Sequence, residues 1–384
     1  MAKPLTIIVG GYIVGFPLGG MTWHHLNYVL GLAELGHDVW FYEFGSWPPY
    51  NPVVQRCEWD HHYGTQYLGR QMREYGVPGR WCYQTEHEVH NMRRGELVEL
   101  FGRADLIMCV SGVTPLRSDL PRPRRTLVID TDPVFTQLRM QQDAALLEYY
   151  RQFDRVATFG RLIGTPECPL PTHGIDWVPT HQPIALQHWP VTATQSETLT
   201  TIGKWEHTAE RHVEFAGEKY LSSKGVEWMK MIDLPRKTDW RMSIAISSMP
   251  DALKRDFEQH GWLLGDAEAA TVDCRSFAKF IQRSAGEFTV AKQIYAGLPS
   301  GWFSDRSACY LASRRPVVTQ ASGFDRWLPV GEGLFSFNTA DEAAEALRAI
   351  REDYPRHAAG ARKIAEEFFD SKKVLRELID VATS

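Results

Sequence analysis

The residue types best suited to chemistry gather in one stretch, residues 300–333, SGWFSDRSACYLASRRPVVTQASGFDRWLPVGEG. An aromatic turn, Gly301-Trp302-Phe303, runs into Ser304, Asp305, Arg306 and Ser307, and a short apolar segment follows before Pro316. Ser304 or Asp305 is placed to cap a helix that Pro316 cannot continue. Serine hydroxyls, free backbone N–H groups and Arg306 then collect at a helix N-terminus, where the dipole favours an anion. Such a cluster can grip a phosphate without a metal. The same residues also describe an ordinary capped helix between two loops, so the decision rests on what surrounds them.

Three other sets of residues could act on a substrate. His24 and His25 open an expected helix just after Gly19-Gly20. Imidazole titrates near working pH, so either is a candidate general base, and spacing does not choose between them. Asp130 and Asp132, in VIDTDP, end an expected strand at the same rim, where carboxylates meet substrate hydroxyls; Asp before Pro is also ordinary turn chemistry. Lys204 follows a strand and Lys224 precedes a glycine, two places where a lysine can reach a phosphate, though a solvated surface charge is the plain alternative for each. His61-His62 has no companion ligands at a recognisable spacing, so no metal is expected.

The elements that would position these groups follow a βαβ rhythm. Residues 5–10 form an apolar run ending in glycines, consistent with a buried parallel strand. A glycine loop, a helical pattern over 21–35, Gly36 at the C-cap position and a strand over 38–42 with Glu43 at its end complete the unit. Further strands are expected over 105–110, 126–129, 155–159 and 177–178, with residues 44–104 as loops and helices over the substrate side. Residues 183–196 lack periodicity and read as a linker. A second series has strands over 199–202, 242–246, 288–290, 317–319 and 334–337, with helices between. Amphipathic helices over 341–352 and 358–379 close the chain. Two successive series of similar size predict an α/β protein of two Rossmann-like, doubly wound domains facing across a cleft. The divisions expected are 1–190, 191–357 and a final helix, 358–384, that returns to the first domain.

Composition narrows the function classes. At 384 residues two domains are the first expectation. A net charge of −5 argues against a protein that coats nucleic acid. Six scattered cysteines without C-x-x-C spacing read as reduced thiols in a cytoplasm. Apolar runs are too short for a membrane span or a secretion leader. The 13 Trp and 14 Tyr are enough to fill cores and still leave stacking platforms for sugar or base rings.

Taken together, the sequence resembles the GT-B glycosyltransferases, especially their family-4-like branch. The N-terminal likeness lies in Gly19-Gly20, the helix after it, and Leu32-Ala33-Glu34-Leu35-Gly36-His37-Asp38-Val39. The C-terminal likeness lies in Gly203-Lys204, Ser223-Lys224-Gly225 and the stretch 300–333. The resemblance implies transfer of a sugar from a nucleoside-diphosphate donor to an acceptor hydroxyl or similar nucleophile, with no metal or cofactor. It implies donor diphosphate contacts from Lys204 and Lys224, with Gly19 and Gly20 as the family's glycine loop and Asp325 similar to the acidic position that holds donor-sugar hydroxyls, while Arg306 and the helix beginning at Ser304 join the donor set from their own residue types. The family's paired glutamates fall at Gly301 and Cys309, and the separation of Lys204 and Lys224 is longer than usual. Asp305, Ser304 and Ser307 are therefore expected to take over ribose and diphosphate contacts. His25 or His24, with Asp132, would serve the acceptor: as base if configuration inverts, as a hydrogen-bonding group if it is retained. The acceptor stays open among a small molecule, a saccharide and a modified DNA base. Three rivals remain: a GT-B sugar epimerase, a dinucleotide-dependent oxidoreductase using Glu43, and a non-catalytic two-lobed binder. Against the oxidoreductase, the loop Gly10-Gly11-Tyr12-Ile13-Val14-Gly15 is not G-x-G-x-x-G.

Overall fold

The structure, a computed structural model, describes residues 3–193, 196–205 and 212–384. Residues 194–195 of the expected linker lie outside the described residues. Two sheets organise the chain. The first has eight strands, in the order Trp177–Pro179, Arg155–Thr158, Arg125–Asp130, Leu106–Val110, Thr6–Gly10, Asp38–Phe44, Trp81–Gln84 and Val89–His90. All neighbours are parallel except the last pair. The second has six parallel strands, in the order Leu263–Leu264, Arg241–Ser247, Thr198–Lys204, Gly286–Thr289, Val317–Gln320 and Leu334–Phe337. By chain order that is 3-2-1-4-5-6, the doubly wound arrangement in which ligands bind where the winding reverses. The reversal falls between Thr198–Lys204 and Gly286–Thr289 in the second sheet, and between Thr6–Gly10 and Leu106–Val110 in the first.

Central strands such as Leu106–Val110 are buried throughout, which is why they read as continuous apolar runs rather than alternating ones. The two domains meet over an apolar seam. Trp23 of the first helix, Gly19–Glu34, lies in one buried apolar cluster with Cys274, Phe277 and Ile281 of helix Cys274–Gln282 and Ala308 and Leu311 of helix Asp305–Ala312. The Trp23 indole donates to the Cys274 carbonyl at 2.9 Å.

Two stretches differ from the sequence reading. Residues 44–104 are not only loops and helices: Trp81–Gln84 and Val89–His90 extend the first sheet. Four residues buried on every side show no period to read. The expected helix over 358–379 is broken, into Tyr354–Ile364, a π-helical turn Ala365–Phe369 and Ser371–Thr383. Ile184 interrupts it: its amide donates to the Phe369 carbonyl at 2.7 Å and its carbonyl accepts from Ser371 at 2.9 Å. The last helix packs on the first, where a Cβ on Gly31 would sit 2.5 Å from Leu375, and Lys372 pairs with Glu34 at 2.5 Å. The interval between Lys204 and Lys224 contains an added hairpin, His212–Phe215 with Glu218–Leu221, which accounts for its length.

Candidate active site

The glycine loop after the first strand is held from below. Glu43, at the end of the next strand and 1% exposed, accepts from the amides of Ile13, Val14 and Gly15 at 2.6, 2.7 and 2.7 Å. Burial pushes its carboxyl up to about 8, while the three amides pull it down. A dinucleotide reading needs this carboxylate on a ribose. It is occupied by the loop instead.

His25 is occupied in the same way. Its Nδ1 donates to the Met21 carbonyl at 2.9 Å, which leaves Nε2 to accept from the Tyr12 amide at 3.3 Å. A Cβ on Gly11 would stand 2.1 Å from the ring. Burial first, and the neighbouring His24 second, lower its pKa to about 3. His25 is a neutral pin under the loop.

His24 points to the domain junction. Its Nδ1 lies 3.2 Å from Asp305 Oδ2 of the second domain, close enough for a charge contact but angled away from a hydrogen bond. Its Nε2 lies 3.1 Å from Ser111 Oγ, which in turn lies 2.8 Å from Thr131 Oγ1. Enclosure works to raise the Asp305 carboxyl; His24 and the Arg306 amide and charge outweigh it and hold the carboxyl below its usual range. Ser111 follows strand Leu106–Val110 directly and has φ of +65°. A non-glycine residue held there costs about 1–2 kcal/mol, and such strain concentrates at functional sites. Of the two histidines the spacing could not separate, only His24 reaches the gap between the sheets.

On the facing side, Ser304 starts helix Asp305–Ala312 without a side-chain capping bond, and Asp305 Oδ1 accepts from the Arg306 amide at 2.8 Å. The Ser307 hydroxyl is buried and has no hydrogen-bond partner. Arg306, expected on a phosphate, faces inward. Its Nε donates to Glu287 at 2.5 Å, Nη1 to the Ile202 carbonyl at 2.8 Å and Nη2 to Thr289 Oγ1 at 2.9 Å. Glu287 is wholly buried, and a charge there needs such a partner. Arg306 thus fastens the helix across the winding reversal.

Of the remaining expected residues, Lys204, Lys224 and Asp325 lie on other elements. Lys204 ends its strand exposed. Lys224 stands at the N-cap of helix Gly225–Lys230. Asp132 accepts a hydrogen bond from Tyr295 and lies 3.4 Å from Lys292, joining the domains at a second point. Gly19 and Gly20 touch protein: a Cβ on Gly19 would lie 2.2 Å from the Asp273 carbonyl oxygen, and one on Gly20 3.1 Å from the Phe277 ring. Asp325 is exposed on the turn Phe324–Arg326 and makes no hydrogen bond or ion pair among the described residues. Sequence reasoning missed Ser111, Lys292 and Glu287. A Ser-Gly pair ending a strand was the available signal for the first.

No family profile matches the sequence, and no curated protein aligns with it. Solved structures do match over the whole chain. One is an alpha-glucosyltransferase in complex with UDP and a 13-mer DNA containing an HMU base, at a TM-score of 0.60 and 11% identity over 100% of both chains. Another is sucrose-phosphate synthase from Thermosynechococcus elongatus, at 0.57 and 12% over 98% of each. A third is AviGT4, a glycosyltransferase involved in avilamycin A biosynthesis, at 0.52 and 11% over 98% of this chain and 96% of that one. At such identities the likeness establishes the fold: two Rossmann-like domains in the GT-B arrangement, as the sequence predicts.

Proposed function

We propose that this chain is a metal-independent, cytoplasmic glycosyltransferase that moves a sugar from a nucleoside-diphosphate donor to an acceptor nucleophile with inversion. The observation that carries the reading is His24, set between Asp305 of one domain and Ser111 of the other where the strand ends of a GT-B fold converge. In this reading an acceptor O–H displaces Ser111 Oγ from His24 Nε2 and donates to it, and Asp305 stabilises the imidazolium that forms. Such a positioned base contributes about 10²–10⁴ in rate. The leaving diphosphate is met by the N-terminal dipole of helix Asp305–Ala312, the Ser307 hydroxyl, Lys204 and Lys224, of which the helix dipole needs no reorganisation as charge develops. Arg306 positions that helix. Asp132 and Lys292 hold the domains in register around the donor sugar.

The acceptor enters past an aromatic lip. Tyr12 lies 6.0 Å from Phe16 and 6.5 Å from Trp47 between ring centroids, and Phe16 stacks on Tyr50 at 6.4 Å. Such surfaces suit the face of a sugar or another ring. The cytoplasmic assignment rests on six cysteines, none in a disulfide; no helix among the described residues is long and apolar enough to cross a membrane.

A panel of nucleoside diphosphates and their sugars, beginning with the uridine series, tests the reading by thermal shift, since a cognate ligand stabilises the native state by mass action. Release of free nucleoside diphosphate that depends on an acceptor supports transfer. Interconversion of the sugar without acceptor would instead mark an epimerase, and stabilisation without turnover a binder. Lys224→Ala should weaken diphosphate binding about tenfold, on the order of 1.4 kcal/mol for one charge-assisted contact; unchanged affinity by calorimetry removes Lys224 from the site.

A further inference from the structure

The strand that the sequence did not show carries a second constellation. His90 lies on edge strand Val89–His90, opposite Tyr83 in the antiparallel register, and Glu88 immediately precedes that strand. Two residues apart in extended chain, Glu88 and His90 project to one face. His61 reaches the same place from the start of helix His62–Glu74. Glu88 Oε2 lies 3.2 Å from His61 Nε2 and 3.2 Å from His90 Nε2, and the three atoms fall within 4.8 Å of one another.

The arrangement is poorly explained as hydrogen bonding. His90 Nε2 is shut off from solvent and has no hydrogen-bond partner, although the carboxylate oxygen is at contact distance. The imidazoles stand 4.5 Å apart at 62°, and Tyr83 packs against both, at 5.5 and 5.8 Å. The backbone around them is fixed. The Thr85 amide donates to the Glu88 carbonyl at 2.9 Å, and Thr85 Oγ1 accepts from the Glu88 amide at 3.0 Å. Three donor atoms therefore converge on one point, with His90 Nε2 left without a hydrogen bond.

We propose that His61, Glu88 and His90 bind one divalent transition-metal ion of the zinc class, outside the transfer site. Two imidazoles and one carboxylate are a donor set for such an ion and a poor one for magnesium or calcium, which take oxygen. Bonds of about 2.0–2.2 Å place neighbouring ligands of a tetrahedral centre roughly 3.3–3.6 Å apart, and both Glu88 contacts, at 3.2 Å, stand just inside that separation. The ion ties the start of helix His62–Glu74 to the edge of the first sheet. That helix supports the glycine loop: a Cβ on its Gly64 would lie 2.6 Å from the Val14 carbonyl oxygen. The ion is a clip on the acceptor side and takes no part in transfer.

The test is zinc stoichiometry and affinity of the full chain, stripped with chelator, re-equilibrated with zinc chloride and titrated against a chromogenic chelator. One equivalent is expected in the wild type and in His62→Ala, whose imidazole bonds to Gln66 instead. Glu88→Gln and His90→Ala should weaken that site at least about a hundredfold, the upper end of what losing even an outer-shell partner costs. Glu88 is more than half exposed, so its substitution leaves folding intact and keeps the comparison usable. Cobalt in place of zinc should give tetrahedral d–d absorption in the wild type and lose it in both variants. Absence of bound zinc in the wild type, or equal affinity in the wild type and both variants, overturns the proposal.

Discussion

Arg306→Ala separates two tasks that the same residue could perform. On the structure its guanidinium neutralises Glu287, whose side chain is 0% exposed, and also donates to Ile202 and Thr289. Removing one partner of a buried pair leaves an uncompensated charge, at a cost of about 3–5 kcal/mol. For a domain of 150–250 residues each kcal/mol lowers Tm by roughly 2–4 °C, so a fall of roughly 6–20 °C is expected by calorimetry. Arg306→Met combined with Glu287→Leu removes both charges and should recover most of the loss, because well-packed apolar replacements of such pairs are often neutral. Donor affinity in that double variant should stay near wild type. If Arg306→Ala unfolds at the wild-type temperature, or if the double variant regains stability but loses donor binding, the anchoring role assigned to Arg306 is refuted.

Two further outcomes follow from the packing and the buried imidazoles. Gly19→Ala puts a methyl group 2.2 Å from a backbone oxygen of the other domain, so the junction must shift; overpacking of about 1–3 kcal/mol is expected, with a larger radius of gyration by solution scattering and slower transfer. His25 has a folded pKa near 3 against 6.5 for the free side chain, so its contribution to stability is complete above pH 6.5 and is lost as pH falls toward 3. The unfolded chain binds the extra proton in that window, giving a slope of up to about 1.4 kcal/mol per pH unit, which His25→Asn should flatten in a pH series of thermal melts.

Much of the fold was legible because parallel strands buried on both faces announce themselves as apolar runs, and because Gly36 marks the end of the first helix in the left-handed conformation at φ +89°. Trp81–Gln84 and Val89–His90 were not, since runs of four and two residues are too short to show a period and the burial of the first comes from packing that only the folded chain supplies. The residues of the candidate site were legible in part. His24 with His25, and Asp305 with Ser307, were named from residue type and their place at the start of a helix. What spacing could not give was direction. His24 and His25 are adjacent on one helix yet one faces the other domain and the other faces a backbone amide. Gly19 and Gly20 looked like a ligand loop, but their lack of side chains serves close approach to Asp273 and Phe277. Arg306 and Glu287 are 19 residues apart on different elements, and no local pattern links them.

The central claim, that His24 takes the acceptor proton at the junction of the two domains, is tested most directly by His24→Gln. Single-turnover transfer and donor affinity should be measured on the same preparation, with the anomeric configuration of the wild-type product read by NMR. The transfer rate should fall by about 10²–10⁴ while the donor dissociation constant stays within about threefold, and the wild-type product should be inverted. A variant that transfers at the wild-type rate, or a wild-type product of retained configuration, contradicts the account.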